Sequence, residues 1–278
     1  MPAFNAADTV RAAVQSVFDQ TYTNFEILIV DDASSDNTLA VLEQLAALDS
    51  RVRVIAMTSN GGAAEARNAG LRAVRGELIA FLDADDLWLP HKLEVQVPLF
   101  SDERTLIVGS WYDSVTAAGK LTGQVQFAPS LSLDDVLNGV VIGCLTAVFR
   151  ASALQGRLTF RPLSARANGP LGRRLHWRPI QEDYLFWIEL LTLNPGCGLR
   201  NAQCSTARYT LSTTSASSNK GKAAYFHWMI LRHDLKLSLP RSLRYFVAYA
   251  LRAVLKHLSY RWGSAARAAP RQRTDEIR

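Results

Sequence analysis

The sequence predicts an α/β protein in which an open, mostly parallel sheet is flanked by helices. In the first hundred residues, short apolar runs alternate with segments whose apolar residues recur at helical spacing. The apolar runs are continuous, which is typical of parallel strands that are buried on both faces. The chain has 278 residues, 48% of them hydrophobic, which is enough to bury a sizeable core in one large domain, or in one domain with an appendage.

The predicted elements alternate as they do in sheets with right-handed crossovers. The spacing predicts strands over residues 25–30, 52–57 and 78–82, and helices over residues 8–20, 36–48 and 63–75. In such sheets, ligands bind beyond the carboxyl ends of the strands. Asp31 and Asp32 follow one strand, and Asp83 and Asp85 follow another, so we expect these side chains to share a crevice.

The rest of the chain is less regular. Its pattern predicts strands over residues 107–114, 120–127 and 144–149, and helices over residues 133–139 and 180–193. Residues 156–179 are rich in Arg, Pro and Gly and are predicted to form a long loop. Residues 223–262 are predicted to form two helices separated at Pro240, and the basic tail from Gly263 has the composition of a disordered segment.

Charge is divided unequally between the two halves of the chain. Residues 1–135 contain 19 acidic and 9 basic residues, whereas residues 136–278 contain 6 acidic and 22 basic residues. An acidic half that is suited to cations is thus joined to a basic half that is suited to anions. Nucleic acid, anionic lipid and a phosphorylated substrate are all candidate partners of the basic half, and an ordinary basic surface is the alternative.

The cysteines indicate a reducing compartment. Cys144, Cys197 and Cys204 have no metal-binding spacing, and any disulfide would leave one of them unpaired. We find neither a signal peptide nor an apolar run long enough to span a bilayer. A cytoplasmic setting is therefore expected.

Three carboxylates stand at the end of the strand over residues 78–82. Alternation along a strand places Asp83 and Asp85 on the same side, where they repel each other unless a cation lies between them. Such oxygen ligands suit magnesium or manganese, which in turn bind substrate phosphates. A solvated acidic turn is the alternative, and Asp86 is expected only to support the turn.

Two further positions carry candidate nucleotide contacts. The carboxylate of Asp32 can accept a hydrogen bond from a ring N–H such as that of uracil, although turn and cap chemistry explains its neighbours Ser34, Asp36 and Asn37. Arg67 lies in the first turns of a predicted helix and could face a diphosphate. A solvated helix face is the alternative for Arg67.

Four segments, taken together, carry a family resemblance. They occur in the order Met1-Pro2-Ala3-Phe4-Asn5, Val30-Asp31-Asp32-Ala33-Ser34-Ser35-Asp36, Ala66-Arg67-Asn68-Ala69-Gly70 and Leu82-Asp83-Ala84-Asp85-Asp86. This order and spacing resemble the family 2 glycosyltransferases, inverting enzymes with the Rossmann-like GT-A fold. The resemblance is close over residues 1–100 and weaker to about residue 220.

The resemblance implies roles for these residues. Pro2, Ala3 and Asn5 would line the nucleotide pocket, Asp32 would bind the base, and Arg67 would lie near the nucleotide. Asp83 and Asp85 match the family's Asp-x-Asp motif, with Ala84 between them in the same pocket. The second Asp binds the divalent metal, while the first contacts the ribose or sugar and is also a candidate metal ligand. The metal neutralises the departing diphosphate.

The family's catalytic base is an acidic residue on a later helix. Gln181-Glu182-Asp183-Tyr184 resembles that motif, so Asp183 is the expected base. A lone carboxylate among cations would remain ionised at neutral pH, as a base must. The alternative is that Glu182 and Asp183 only stabilise the start of the helix.

The chain also departs from the family pattern. The family usually has an apolar strand before the segment that starts at Pro2, so we expect a native start upstream of Met1. No Gln-x-x-Arg-Trp segment of the processive synthases occurs, which favours transfer of a single sugar. Residues 209–220 resemble a flexible lid, or form a linker. The basic residues 157–178 are candidates for recognition of a phosphorylated acceptor.

The domain prediction follows from these points. Residues 1–220 form the catalytic domain, with a nucleotide-binding part over 1–100 and an acceptor part over 101–220. A helical extension over 221–262 and a disordered tail over 263–278 complete the chain. The segment from Pro240 to Trp262 combines a wide apolar face with a cationic stripe, which suits an anionic membrane surface. Packing on the catalytic domain is the alternative.

The sequence therefore predicts an inverting glycosyltransferase of the bacterial surface-glycan type. It would move one sugar from a nucleotide sugar, with UDP favoured, to a glycan or lipid-diphosphate-linked acceptor at the inner face of the plasma membrane. The alternatives are a nucleotidyltransferase on a related fold and a basic nucleic-acid-binding protein. The first would need a Gly-rich phosphate loop that the chain does not have at Asn5 to Asp8, and nucleic acid is not an expected partner.

Overall fold

The chain folds as a mixed α/β protein, which confirms the predicted fold class. The computed structural model describes residues 1–140, 142–156, 159–161, 182–211 and 220–252. A first sheet consists of three parallel strands, β1 (Pro2–Ala3), β2 (Ile27–Asp31) and β3 (Val52–Ala56). Strand β2 lies in the centre, with Pro2 opposite Val30 and Ile29 opposite Val54.

Three helices accompany this sheet, as the periodicity predicts. They are α1 (Val10–Phe18), α2 (Thr38–Leu48) and α3 (Gly62–Ala73). Helix α1 buries Val10, Ala13, Val14 and Val17, which recur at the spacing of one helical face. The observed ends of the three helices lie within two residues of the predicted ones, which is the usual uncertainty of helix boundaries.

A second sheet contains seven strands in a mixed arrangement. They are β4 (Leu78–Ala80), β5 (Leu87–Trp88), β6 (Thr105–Thr116), β7 (Leu121–Val125), β8 (Ser130–Leu131), β9 (Val148–Arg150) and β10 (Gly198–Leu211). The order is β4-β9-β6-β10-β5, with β7 paired to β6 and β8 paired to β10. Strands β6 and β10 are parallel, and the other pairs are antiparallel.

Strand β10 was not predicted. Polar residues such as Asn201, Gln203 and Ser205 interrupt its apolar pattern, and its pairing with β6 shifts register between Ala202 and Ala207. The strand predicted over residues 144–149 starts later in the structure, because Cys144–Thr146 forms a 3₁₀ turn before β9.

The remaining helices build the second half of the core. They are α4 (Lys92–Gln96), α5 (Leu133–Leu137), α6 (Glu182–Leu193), α7 (Lys220–Met229) and α8 (residues 239–252), with 3₁₀ turns at Val97–Ser101 and Ala151–Leu154 and a π-helical turn at Ile230–Asp234. Helix α6 is buried over most of its length. Its Phe186 stacks on Phe160 with ring centroids 4.2 Å apart, and Trp187 packs on Phe149.

Helix α8 packs on the core of the fold. The hydroxyl of Tyr245 donates to Asp134 at 2.7 Å, and the ring of Tyr249 stacks on His227 with centroids 4.2 Å apart. Gly139, at φ +91°, permits this approach, since a Cβ there would lie 2.6 Å from Tyr249. The predicted interruption falls at residues 235–238, and Pro240 stands in the first turn of α8, where proline is tolerated.

A cavity of about 740 Å³ separates the two sheets between β2 and β4. Its lining includes Ile27 and Leu28 from β2 and Leu78 and Ile79 from β4. The amino group of Met1 donates to the Leu28 carbonyl at 2.7 Å beside this cavity, and burial lowers its pKa to about 5.

Several predictions lie outside the described residues. These are most of the loop over residues 156–179, residues 212–219 of the lid predicted over 209–220, and residues 253–278 with the predicted tail. The described ends of that predicted lid belong to regular elements, since residues 209–211 are part of β10 and Lys220 begins α7. Within the described residues, no helix is both long and apolar enough to cross a bilayer.

Candidate active site

The first group of predicted residues meets where β1 and β2 end. Pro2 and Ala3 pair with β2, and the N–H of Asp32 donates to the Ala3 carbonyl at 2.8 Å. The side-chain oxygen of Asn5 accepts from the N–H of Ser35 at 2.9 Å. Asn5 itself adopts φ +49°, a left-handed conformation that asparagine tolerates better than most residues. The structure therefore brings Pro2, Ala3, Asn5 and Asp32 together.

The carboxylate of Asp32 holds the start of helix α3. It is buried, and its two oxygens accept from the N–H groups of Gly61 and Gly62, each at 2.7 Å. Gly62 has φ +81°, a conformation that glycine adopts without strain. Each carboxylate oxygen has a second lone pair, so a contact with a nucleobase remains compatible with these bonds. The sequence did not predict that the Asp32 carboxylate would bind backbone N–H groups at the start of α3.

Arg67, on α3, is buried in an ion-pair network. Its Nη2 donates to Oδ1 of Asp83 at 2.7 Å, and its Nη1 donates to Oε1 of Glu182 at 2.6 Å. Burial disfavours the charged guanidinium, but Asp83 and Glu182 outweigh this and raise the pKa of Arg67 above its ordinary value. The solvated helix face, the alternative interpretation of Arg67, is wrong.

The three carboxylates after β4 occupy different environments. Asp85 is exposed, Asp83 is partly exposed, and Asp86 is buried. Oδ1 of Asp86 accepts from the N–H of Thr210 at 3.0 Å, which fixes the end of β10 beside the acidic segment. Burial, together with the charges of Asp83 and Asp85, raises the pKa of Asp86 to about 8. The Asp86 side chain therefore ties β10 to the acidic segment.

Asp83 and Asp85 have the chemistry of a partial metal site. Burial and, to a lesser extent, the charge of Asp83 raise the pKa of Asp85, and a cation beside the two carboxylates would favour their ionised forms. Among the described residues, no three His, Cys, Asp or Glu side chains are grouped to hold a metal. The pair therefore fits a cation such as Mg²⁺, which takes one or two carboxylates and completes its shell with water and substrate phosphates.

Asp183 lies in the first turn of α6 beside this network. Burial raises its pKa to about 6; Arg67 works in the opposite direction, and Glu182 and Asp83 add to the rise. Its Oδ1 accepts from the N–H of Tyr184 at 2.8 Å. The expectation of a lone carboxylate among cations is wrong, because α3 brings the cation Arg67 to it, the end of β4 brings Asp83, and Glu182 precedes it on α6.

The network joins residues that are distant in the sequence. Arg67, Asp83 and Asp183 come together, and Ala84 and Asp85 follow Asp83 in the chain. Asp32 is connected to them through α3, whose start it holds. The residue that the sequence reasoning missed is Glu182. The sequence could have indicated Glu182, since Glu182 and Asp183 form an acidic pair in a stretch otherwise free of acids.

Comparison with known proteins identifies the family of this site. Residues 1–153 match the family described as Glycosyl transferase family 2. The chain belongs to glycosyl transferase family 2. It is a glycosyltransferase, and this membership replaces the nucleotidyltransferase and nucleic-acid-binding alternatives.

Two bacterial relatives match nearly the whole chain. The putative teichuronic acid biosynthesis glycosyltransferase TuaG of Bacillus subtilis is 33% identical over 258 residues, 92% of this chain and 95% of the relative. The Escherichia coli protein named UDP-Glc:alpha-D-GlcNAc-diphosphoundecaprenol beta-1,3-glucosyltransferase WfgD is 32% identical over 257 residues, 92% of this chain and 93% of the relative.

A solved structure supports the GT-A fold of this family 2 enzyme. The mannosyltransferase PcManGT from Pyrobaculum calidifontis, solved in complex with GDP-Man and Mn²⁺, superposes with a TM-score of 0.65 at 16% identity. The match covers 97% of this chain and 74% of that protein.

Proposed function

We propose that this enzyme moves one sugar from a UDP-sugar to a hydroxyl group of a lipid-diphosphate-linked glycan, with inversion at the anomeric carbon. The observation that carries the proposal is the Arg67 network. One guanidinium holds Asp83, at the predicted leaving-group side, and Glu182, next to the predicted base Asp183.

The relatives support the substrate classes. WfgD is named for UDP-glucose as donor and for a diphosphoundecaprenol-linked acceptor, and TuaG for teichuronic acid biosynthesis. Both match this chain over nearly its full length, so a bacterial surface glycan is the proposed product here as well. Such acceptors are held in a membrane, so we place the enzyme in the cytoplasm at the inner face of the plasma membrane.

The donor would lie along the ends of β1, β2 and β4. Pro2, Ala3 and Asn5 are proposed to line the nucleotide pocket, with Asp32 at the base and Ala84 near the sugar. A divalent cation held by Asp83 and Asp85, magnesium or manganese, would supply positive charge to the diphosphate. Arg67 keeps Asp83 in position and gives the buried site a fixed positive charge.

The chemistry at the acceptor would rest on Asp183. With a pKa of about 6, its carboxylate is mostly ionised at neutral pH yet basic enough to take a proton in the transition state. It removes the acceptor hydroxyl proton while the oxygen forms a bond to the anomeric carbon. The bond from that carbon to the diphosphate breaks, and the nucleoside diphosphate departs with the electron pair. Attack from the opposite side gives inversion.

The proposed domain organisation remains the one that the sequence predicts. Residues 1–220 would form the catalytic domain, with the nucleotide side in residues 1–100 and the acceptor side in residues 101–220. Residues 221–262 would form the helical extension. The absence of the processive synthase motif from the sequence favours release after a single transfer.

A donor panel tests the proposal. The purified chain is incubated with UDP-, GDP- and dTDP-sugars, with Mn²⁺ or Mg²⁺ and with a prenyl-diphosphate-linked N-acetylglucosamine acceptor, and the released diphosphate and the extended acceptor are measured. We expect turnover with a UDP-sugar and loss of turnover in Asp183→Asn. No product from any donor, or equal turnover by Asp183→Asn, would overturn the proposal.

A further inference from the structure

A continuous apolar stripe runs along the outer face of α8. Its side chains are Leu239, Leu243, Val247 and Leu251, which are 53%, 47%, 51% and 58% exposed. Residues four apart lie on one side of a helix, so these four form a single row of large apolar groups. An isolated exposed leucine is ordinary, whereas a row of four on one helix face is the signature of an interaction surface.

The orientation of this stripe is fixed by the opposite face of α8. Ser242 and Tyr245 are buried against the core, and Tyr245 is hydrogen-bonded to Asp134. The stacking of Tyr249 on His227 adds a second attachment. The helix therefore cannot rotate to bury the stripe without breaking these contacts. Packing of α8 on the domain is thus compatible with contact to a membrane, because packing uses one face of the helix and leaves the other exposed.

The charges beside the stripe favour an anionic partner. Arg241, Arg244 and Arg252 are exposed on the same helix, and residues 235–252 contain no Asp or Glu. Arg244 makes an exposed ion pair with Asp134 at 3.3 Å, which binds it only weakly. A helix with an apolar face and a basic flank is typical of segments that lie in the interface of an anionic bilayer.

We propose that the outer face of α8 is a membrane-docking surface for anionic lipid. Leu239, Leu243, Val247 and Leu251 would enter the boundary between head groups and acyl chains, and the arginines would meet lipid phosphates. A second copy of this chain is a poorer occupant, because a two-fold contact along the stripe would bring the arginines of both copies together. The proposal goes beyond sugar transfer, and its test needs no turnover.

Vesicle binding tests this surface in the full chain. Wild type and the double variant Leu243→Glu with Val247→Glu are sedimented with phosphatidylcholine vesicles that contain or lack phosphatidylglycerol. The matched control is Leu48→Glu, since Leu48 is 77% exposed on α2, away from the stripe. We expect wild type and Leu48→Glu to bind the anionic vesicles, and the double variant to bind at least about tenfold more weakly.

A second double variant measures how much the arginine charges contribute to vesicle binding. Arg241→Gln with Arg252→Gln should weaken binding to anionic vesicles and reduce its sensitivity to salt. Unchanged thermal unfolding confirms that each variant is folded. The proposal is overturned if wild type stays in the supernatant, or if Leu48→Glu loses binding as much as the double variant. It is also overturned if light scattering shows that the double variant converts a wild-type dimer to a monomer while vesicle binding is unchanged.

Discussion

Arg67 and Glu182 are 115 residues apart in the sequence, and Nη1 of the first lies 2.6 Å from Oε1 of the second. The same guanidinium binds Asp83 at 2.7 Å. Helix α3 thereby connects the acidic end of β4 to the first turn of α6, where Asp183 stands. Because Arg67 binds both carboxylates, this one side chain is a buried bridge that fixes the position of the proposed leaving-group site relative to the proposed base.

Loss of this bridge should destabilise the fold. Arg67→Ala removes the ion pairs that Arg67 makes with Asp83 and with the largely buried Glu182, so we expect the free energy of unfolding to fall by about 3–5 kcal/mol. Urea denaturation measures it. The control is Arg72→Ala, an exposed arginine on the same helix, which should change stability by less than about 0.5 kcal/mol. Equal stability of the two variants would show that the bridge contributes nothing.

Asp183→Asn should abolish sugar transfer and leave binding of the donor unchanged. An amide cannot take the acceptor proton, so kcat should fall by about 10²–10⁴ while the Kd for the nucleotide sugar changes little. Steady-state kinetics and calorimetric titration of the donor measure the two effects. Glu189→Gln, another acid on α6, is the control and should retain most of the wild-type kcat. A kcat within a few-fold of wild type in Asp183→Asn would exclude it as the base.

Activity should depend on pH through the same carboxylate. Burial raises the pKa of Asp183 to about 6, so the ionised base is fully present above that pH and is lost as the pH falls through it. The value of kcat/KM should decline below about pH 6 by tenfold per unit. Because Arg67 lowers the pKa of Asp183, Arg67→Gln should move this decline to higher pH. A profile that is flat through this range in both proteins would contradict the assignment.

The elements that the sequence predicted are those with a strong local signal. Helix α1 buries residues at one helical spacing, and β2 is a continuous apolar run, so each is determined by its own residues. Strand β10 was missed because its pairing with β6 overrides a polar local pattern. The contact between Arg67 and Glu182 could not be predicted, since it depends on how the topology folds α6 back onto α3. The same reason explains why the approach of Asp83 to Asp183 could not be predicted, whereas Glu182 is the sequence neighbour of Asp183.

The anomeric configuration of the product tests the central claim most directly. The transferred sugar is identified by NMR of the extended acceptor, from the coupling constant of its anomeric proton, after reaction with an α-linked UDP-sugar. Direct displacement with Asp183 as base predicts a β-linkage in the product. An α-linkage would show retention and would contradict the proposed mechanism.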